Sequence, residues 1–267
     1  MLKDITLGQF FPGDTIVHRL DPRTKIILVL FFIISLFSAV NYLSFATMLL
    51  VVITCVALSK IKAKTILKGL KPIIFIITFT AIINIFYTEG RVIFEFWIFK
   101  ITIEGIVRAV FMVSRIVMLI TGTFLMTYTT SPIALTDGIE YLLNPAKKIK
   151  VPVHEIAMMI SIALRFIPTL IEETDKIMSA QKARGADFET GKLADRARAL
   201  LPLLIPLFIS AFRRADELGT AMECRCYHGG EGRTRMKQLH MKPRDAIAII
   251  SGVLIMSGVI TLSVFGL

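Results

Sequence analysis

The chain has 267 residues, 55% of them hydrophobic, with a mean hydropathy of +0.71 and a formal net charge of +11. A soluble domain of this length must keep most of its surface polar, so the composition argues against a soluble enzyme and indicates lipid as the main solvent. In so apolar a chain, the positive charge fits anionic lipid headgroups or an acidic protein partner better than nucleic acid. Three cysteines imply no disulfide framework.

Apolar stretches predict five spanning helices, because each crossing needs about 20 mostly apolar residues. The stretch Ile26–Ser59 is just long enough for two short helices joined by a tight turn near Asn41. In the last crossing, Ala248 and Gly252 form a small-xxx-small pattern that is typical of helix contacts. The remaining three crossings are expected at Pro72–Thr88, Ile103–Thr130 and Asp245–Leu267.

Lysines set the expected orientation of these spans. A cluster between the second and third spans belongs in the cytoplasm by the positive-inside rule. Counting crossings from there places the N-terminus and residues 131–244 in the cytoplasm, and the loop Glu89–Thr102 and the C-terminus outside. The sequence thus predicts an all-α polytopic cell-membrane protein with four spans in residues 1–130, cytoplasmic helices in 131–244 and a last span in 245–267. The cluster comprises Lys60, Lys62, Lys64, Lys68 and Lys71.

Two arginines, Arg108 and Arg115, lie on one side of the fourth span. One interpretation is a charge that lines a transport path. The favoured interpretation is that this long helix lets both arginines reach the membrane surface or contact a partner.

The cytoplasmic segment is helical in pattern and carries two long amphipathic helices of about 30 residues, each roughly 45 Å long. Apolar residues recur in the first with a period of 3.6, and the second is strongly apolar over Leu200–Ala211. Each helix therefore has an apolar face for a membrane surface or a neighbouring helix. The helices are expected at Asp137–Leu143, from Val153 to Arg184, and from about Asp195 to Cys226. Prolines expected to bend the long helices or to act in coupling are Pro168, Pro202 and Pro206.

Both long helices end in one arginine between small residues. The two tripeptides are Ala183-Arg184-Gly185 and Cys224-Arg225-Cys226. Small flanking residues let a partner approach the backbone closely, and a guanidinium can then reach several acceptors in a fixed geometry. A favourable interaction with the helix dipole would account for either arginine alone. Two matching ends in one segment indicate a pair of partner-binding tips.

These paired ends resemble those of the transmembrane T component (EcfT) of energy-coupling factor transporters. The similarity covers essentially the whole chain, although Cys224 stands where alanine is common. Further matching segments are Leu164-Arg165-Phe166-Ile167-Pro168, residues 181–188, residues 223–230, and the neighbourhood of Leu20-Asp21-Pro22-Arg23 and Lys25.

The resemblance implies a non-catalytic subunit of an ATP-dependent importer. In this family the T component joins two ABC-type ATPase subunits to an interchangeable substrate-binding membrane subunit. By analogy, Arg184 and Arg225 dock into grooves on the ATPase subunits, and ATP binding moves both helices and tilts the substrate-binding subunit. A vitamin or metal would then be released inside. ATP and magnesium would be bound by the partner ATPases, with no cofactor or metal on this chain.

Other functions lack their motifs. No G-x-x-x-x-G-K-[ST] segment occurs, so the chain is not itself the ATPase. Cys224, Cys226 and His228 suit one zinc ion poorly, because helical residues two apart point about 200° apart. No polar constellation supports a membrane-bound enzyme. The main alternative is a self-sufficient channel or secondary transporter, which would need ionisable residues near the midplane of several spans. The first three spans offer little beyond Asn84.

Overall fold

The computed structural model describes residues 10–96, 99–186, 188, 193–229 and 238–265. Within these ranges the chain is predominantly helical, with a two-stranded antiparallel hairpin and two short 3-10 segments at Lys71–Ile73 and Asn144–Ile149. The strands are β1 (Val92–Phe96) and β2 (Phe99–Thr102). The α-helices are α1 (Pro22–Ser38), α2 (Tyr42–Ser59), α3 (Ala63–Leu70), α4 (Ile74–Tyr87), α5 (Ile103–Thr129), α6 (Pro132–Leu142), α7 (Val153–Ala183), α8 (Leu193–Cys224) and α9 (Pro243–Val264).

The described residues form two compact units. Residues 10–138 and 239–265 make up one, here named the bundle unit. Residues 139–229 belong to the other, here named the long-helix unit, which contains α7 and α8.

Packing in the bundle unit depends on close contacts of α1 with its neighbours. Helix α1 lies along α9 and contacts α5 and α2, while α4 lies along α5. Gly252 of α9 faces Leu28 of α1 so closely that a Cβ atom there would come within 2.5 Å of the leucine side chain. Gly122 of α5 meets the Phe32 ring in the same way. The contact expected at Gly252 is therefore present. The apolar core around these helices contains Leu36, Ala39, Phe45, Met48, Val52, Met118 and Val259.

Five of the described helices are long and apolar enough to cross a membrane: α2, the segment Ala63–Tyr87, α5, α7 and α9. Compared with the five predicted spans, this set lacks the first span, α1, and includes α7, which was expected in the cytoplasmic segment. Helix α1 has 17 residues, which is short for a crossing, but it packs against α9, α5 and α2. Helix α7 qualifies by length and composition even though its second half carries Glu172, Glu173, Asp175 and Lys176.

The predicted break near Asn41 is confirmed, since α1 ends at Ser38 and α2 begins at Tyr42. The Asn41 N–H donates to Ser44 Oγ at 3.2 Å, which satisfies one of the free donors at the start of α2. The Asn41 side chain donates to the carbonyl of Leu262 in α9 at 3.2 Å. The turn is thus fixed both to its own helix and to the last one.

The segment Glu89–Thr102, expected only as a loop, contains the β1–β2 hairpin. Its register pairs Val92 with Thr102 and Phe96 with Phe99. The run of β-branched and aromatic residues in Val92–Phe96 favours a strand. At the end of the hairpin, the Thr102 hydroxyl accepts from the Gly105 N–H at 3.0 Å and caps α5.

Arg115 forms a contact within the chain, whereas Arg108 is exposed. The Arg115 guanidinium donates from Nη2 to the carbonyl of Ala39 at 2.7 Å, just beyond the last residue of α1. A cation at a helix C-terminus binds free carbonyls and interacts favourably with the helix dipole. Arg115 therefore stabilises the end of the short helix α1.

Candidate functional site

The end of α7 is a Schellman motif with Arg184 in the C-cap position. The Ala186 N–H donates to the Gln181 carbonyl and the Gly185 N–H donates to the Lys182 carbonyl, both at 3.0 Å. Gly185 has a φ of +87°, a left-handed conformation that glycine adopts without a steric penalty. These two bonds define the motif and hold the backbone around Arg184 in one conformation.

The end of α8 is the same motif, with Arg225 in the same position. The Tyr227 N–H donates to the Met222 carbonyl at 3.1 Å, and the Cys226 N–H donates to the Glu223 carbonyl at 2.9 Å. Cys226 occupies the left-handed position with a φ of +55°. A residue with a Cβ atom adopts this conformation at a cost of about 1 kcal/mol. The backbone around the arginine therefore has the same conformation at the ends of both helices.

The six residues of the two tripeptides are exposed: Ala183, Arg184, Gly185, Cys224, Arg225 and Cys226. Within the described part of the chain, neither guanidinium forms an ion pair or a side-chain hydrogen bond. Exposed arginines with unused donors can bind carboxylates or carbonyls on another molecule in a fixed geometry. The sequence-predicted tips are therefore accessible to a partner.

Helices α7 and α8 are joined by an ion pair well away from both tips. Arg214 Nη2 lies 3.0 Å from Glu173 Oε2. Glu173 precedes Arg184 by 11 residues, and Arg214 precedes Arg225 by 11 residues. At the rise of an α-helix, each tip lies about 16 Å along its helix from this contact. The contact between the helices is therefore equally distant from both arginines.

An apolar stripe runs along the middle of α8, with its residues three or four apart as on one helix face. All of its side chains are exposed, with Phe208 at 60% and Phe212 at 70%. Helix α8 continues through Pro202 and Pro206, and α7 through Pro168. The bends expected at these prolines stay predictions. The stripe consists of Leu201, Leu204, Ile205, Phe208 and Phe212.

In the bundle unit, a buried polar network that the sequence did not reveal joins α1 to α9. The Asp21 side chain caps α1 by accepting from the Arg23 N–H at 2.9 Å. The Asp21 N–H donates to Asp245 Oδ1 at 2.8 Å, and Asp245 Oδ2 accepts from the Lys242 N–H at 2.8 Å. Asp245 is 2% exposed. One carboxylate therefore binds the starts of both helices.

Two cations complete this N-terminal network. Arg23 donates from Nη2 to the Leu239 carbonyl at 3.1 Å. Lys25 donates from Nζ to the Thr129 carbonyl at 2.8 Å and to the Thr130 hydroxyl at 3.1 Å, which joins α1 to the end of α5. Both cations are almost fully buried. Asp21, Arg23 and Lys25 belong to a segment that resembles the family, and their contacts show that they have a structural role. Asp245 could be identified only from its contacts in the folded chain.

Among the described residues, no three His, Cys, Asp or Glu side chains come together as a metal site. Cys224 and Cys226 are exposed free cysteines.

Comparison with known proteins identifies the class to which the bundle and the long helices belong. A family model described as CbiQ, cobalt transport protein, matches residues 13–236. The chain therefore belongs to this family of membrane transport proteins.

Curated relatives define the group more closely. The energy-coupling factor transporter transmembrane protein EcfT of Thermosediminibacter oceani is 54% identical over 257 residues, covering 96% of this chain and 97% of that protein. The proteins of the same name from Ruminiclostridium cellulolyticum and Bacillus subtilis are 55% identical over 260 residues and 50% identical over 252 residues. They cover 97% and 94% of this chain, and 97% and 95% of their own lengths. The fold and the relatives together define a multi-pass membrane component of an energy-coupling factor transporter.

Proposed function

We propose that the chain couples ATP binding and hydrolysis in two ABC-type ATPase subunits to movement of a substrate-binding membrane subunit. The complex would import a micronutrient, a vitamin or a metal, and this chain would be a non-catalytic scaffold within it. ATP and magnesium would be bound by the ATPase subunits. The observation that carries the proposal is the pair of matching helix ends, each with an exposed arginine free of ion pairs in the described structure.

The helix ends suit firm attachment to a moving partner. Each arginine follows a long helix whose last carbonyls accept the hydrogen bonds of the Schellman motif. The backbone that carries the guanidinium is therefore held in one conformation. Several N–H groups of one guanidinium can bind acceptors in a groove at once. In this mechanism Arg184 binds one ATPase subunit and Arg225 binds the other.

The contact between Glu173 and Arg214 supports a pivoting motion. Because it lies 11 residues from each arginine, an approach of the two ATPase subunits would move both tips over similar distances about one point. Two packed helices that turn about a contact give a rigid-body transition of the kind that couples subunits. The exposed apolar stripe of α8 offers the substrate-binding subunit a surface that moves with the helix.

In the proposed topology the N-terminus and the long helices are cytoplasmic. Helix α7 is long enough to cross a membrane, but its apolar half is followed by a run of five residues with four charges. The charged residues are Glu172, Glu173, Asp175 and Lys176. Charged groups in a span are expensive and usually face a protected interior. The helix is therefore better accommodated at the membrane surface, with its apolar face covered by a neighbouring subunit or lipid.

A double charge reversal tests the proposal. Arg184→Glu together with Arg225→Glu should abolish co-purification of the chain with the ATPase subunits and should leave membrane insertion intact. The matched control is Lys176→Glu with Arg213→Glu, which changes the charge equally on the same helices at exposed positions away from the tips.

The control variant should assemble like the wild type. Normal assembly and uptake by the tip variant would contradict the proposal, and so would equal loss in both variants. Substrate uptake by the purified chain alone in liposomes, without ATP, would instead support a self-sufficient transporter.

A further inference from the structure

Helix α3 and the turn that follows it carry lysines on one side and buried apolar residues on the other. Lys64, Lys68 and Lys71 are spaced by four and three residues, so they lie on one side of the helix. Ile66 and Leu70 point to the opposite side and are buried, at 7% and 9% exposure. The helix therefore packs against the bundle through one face and presents ammonium groups on the other.

The positive charge of this segment is not neutralised within the described structure. Five exposed lysines follow one another over 12 residues, and the sequence has no acidic residue between Asp21 and Glu89. In the described part of the chain, none of their ammonium groups forms an ion pair or a hydrogen bond. These lysines, named the basic face, are Lys60, Lys62, Lys64, Lys68 and Lys71.

The flanking helices hold the basic face at the membrane surface. Only three residues separate Ser59, the last of α2, from Ala63, the first of α3, and they can span at most about 11 Å. Ile74, the first residue of α4, directly follows the 3-10 turn. Gly69 also lies against the rings of Phe124 and Tyr128 of α5, where an added Cβ atom would clash. The lysines therefore stay near the ends of membrane helices and cannot extend far from the bilayer.

We propose that the basic face is a binding site for the headgroups of anionic phospholipids in the adjoining leaflet. Ammonium groups on long flexible stems reach the phosphate level while their methylenes lie along apolar surface. Leu67, which is 64% exposed, lies beside Lys71 and Lys64 around the helix and offers an apolar contact to the acyl chains. Lipid is favoured over an acidic protein partner because α2, which precedes the basic face, and the segment Ala63–Tyr87, which contains three of its lysines, are both long and apolar enough to cross a membrane.

Each lysine near a membrane surface strengthens binding to anionic lipid by roughly five-fold.

The inference depends on the membrane location of the bundle unit and not on the proposed coupling mechanism. Its failure and the failure of the coupling proposal are therefore distinguishable.

The test uses the full chain, reconstituted in vesicles of equal phosphatidylglycerol and phosphatidylcholine and then extracted in mild detergent. Native mass spectrometry gives the ratio of the two lipids that remain bound. The variant Lys64→Gln/Lys68→Gln/Lys71→Gln should lower the ratio of phosphatidylglycerol to phosphatidylcholine by about five-fold or more. For the wild type, the ratio should fall as salt is raised from about 0.05 M to about 0.5 M, because the screening length shrinks.

Two matched variants make the result specific. Lys64→Arg/Lys68→Arg/Lys71→Arg retains the charge and should retain the lipid preference. Lys147→Gln/Lys148→Gln/Lys150→Gln removes three exposed lysines from the long-helix unit and should leave the preference unchanged. An unchanged ratio in the first glutamine variant, or an equal fall in the second, would overturn the proposal. If the first glutamine variant kept its lipid ratio but lost a partner subunit from the purified complex, the basic face would bind protein and the proposal would be wrong.

Discussion

Three cations that hold the bundle unit together differ from the two arginines at the tips of the long-helix unit. In the bundle unit, Arg23, Lys25 and Arg115 donate to backbone carbonyls of other segments at 2.7–3.1 Å. In the long-helix unit, Arg184 and Arg225 are exposed at helix ends and have no such acceptor in the described structure. The comparison separates cations that stabilise the fold from cations that remain available for binding.

The difference follows from the environment of each charge. A buried cation without partners loses its hydration at a cost of several kcal/mol, so it persists only where acceptors surround it. A cation at an exposed helix end keeps its hydration and also gains from the helix dipole. The two groups should therefore respond differently to mutation: the first through stability, the second through assembly.

Removing the shared carboxylate of the N-terminal network should have the largest effect on stability. Asp245→Ala leaves the N–H groups of Asp21 and Lys242 without their acceptor and takes a negative charge from the surroundings of Lys25. We expect a loss of about 3–5 kcal/mol, measured as a lower Tm and a lower yield of monodisperse protein in detergent. The control Asp216→Ala, on the exposed surface of α8, should change stability by less than about 0.5 kcal/mol. Equal Tm values for the two variants would contradict a structural role of the network.

Arg115→Ala should have the next largest effect. It leaves the Ala39 carbonyl at the end of α1 without its donor, at an expected cost of about 1–3 kcal/mol. Arg108→Ala, at an exposed position of the same helix, is the control and should alter Tm little. If both arginine variants lost stability equally, Arg115 would not be specific for the α1 terminus.

Local chemistry predicted two of the helix boundaries, whereas the helix expected at Asp137–Leu143 begins at Pro132 in the structure. Asn41 and the small polar residues near it separate the first two helices, and Gly185 marks the end of α7, because turns and left-handed positions require particular residue types. The paired arginine ends could be recognised because each arginine lies between small residues at the end of a long helix. The left-handed conformation of Cys226 at the second end could not be predicted, because cysteine has no preference for it.

Long-range partners could not be predicted from spacing. Asp21 and Asp245 are separated by 224 residues, and Arg115 and Ala39 by 76. A single sequence contains the two halves of each contact but no signal that pairs them. The lysine cluster between the second and third spans indicates topology but does not reveal the short amphipathic helix α3. The buried side of that helix consists of only Ile66 and Leu70.

The two arginine tips can be compared directly through their left-handed residues. Gly185→Ala places a Cβ atom at a φ of +87° and should destabilise the end of α7 by about 1 kcal/mol. Cys226→Gly relieves the same strain at a φ of +55° and should stabilise the end of α8 by a similar amount. Hydrogen exchange of the amides at positions 185–186 and 226–227 should speed up in the first variant and slow in the second. Changes of the same sign at both tips would show that the two ends are not equivalent.

The ion pair between Glu173 and Arg214 should have the smallest effect on stability. It is partly exposed, and such pairs contribute less than about 1 kcal/mol. Arg214→Glu places two carboxylates together and should lower Tm only slightly, yet it should reduce ATP-dependent uptake by the assembled complex if the helices pivot at this contact. The exchanged pair Glu173→Arg/Arg214→Glu restores opposite charges and should recover uptake. A fall in Tm without any change in uptake would mean that the contact only stabilises the long-helix unit, because a pivot must affect the motion more than the fold.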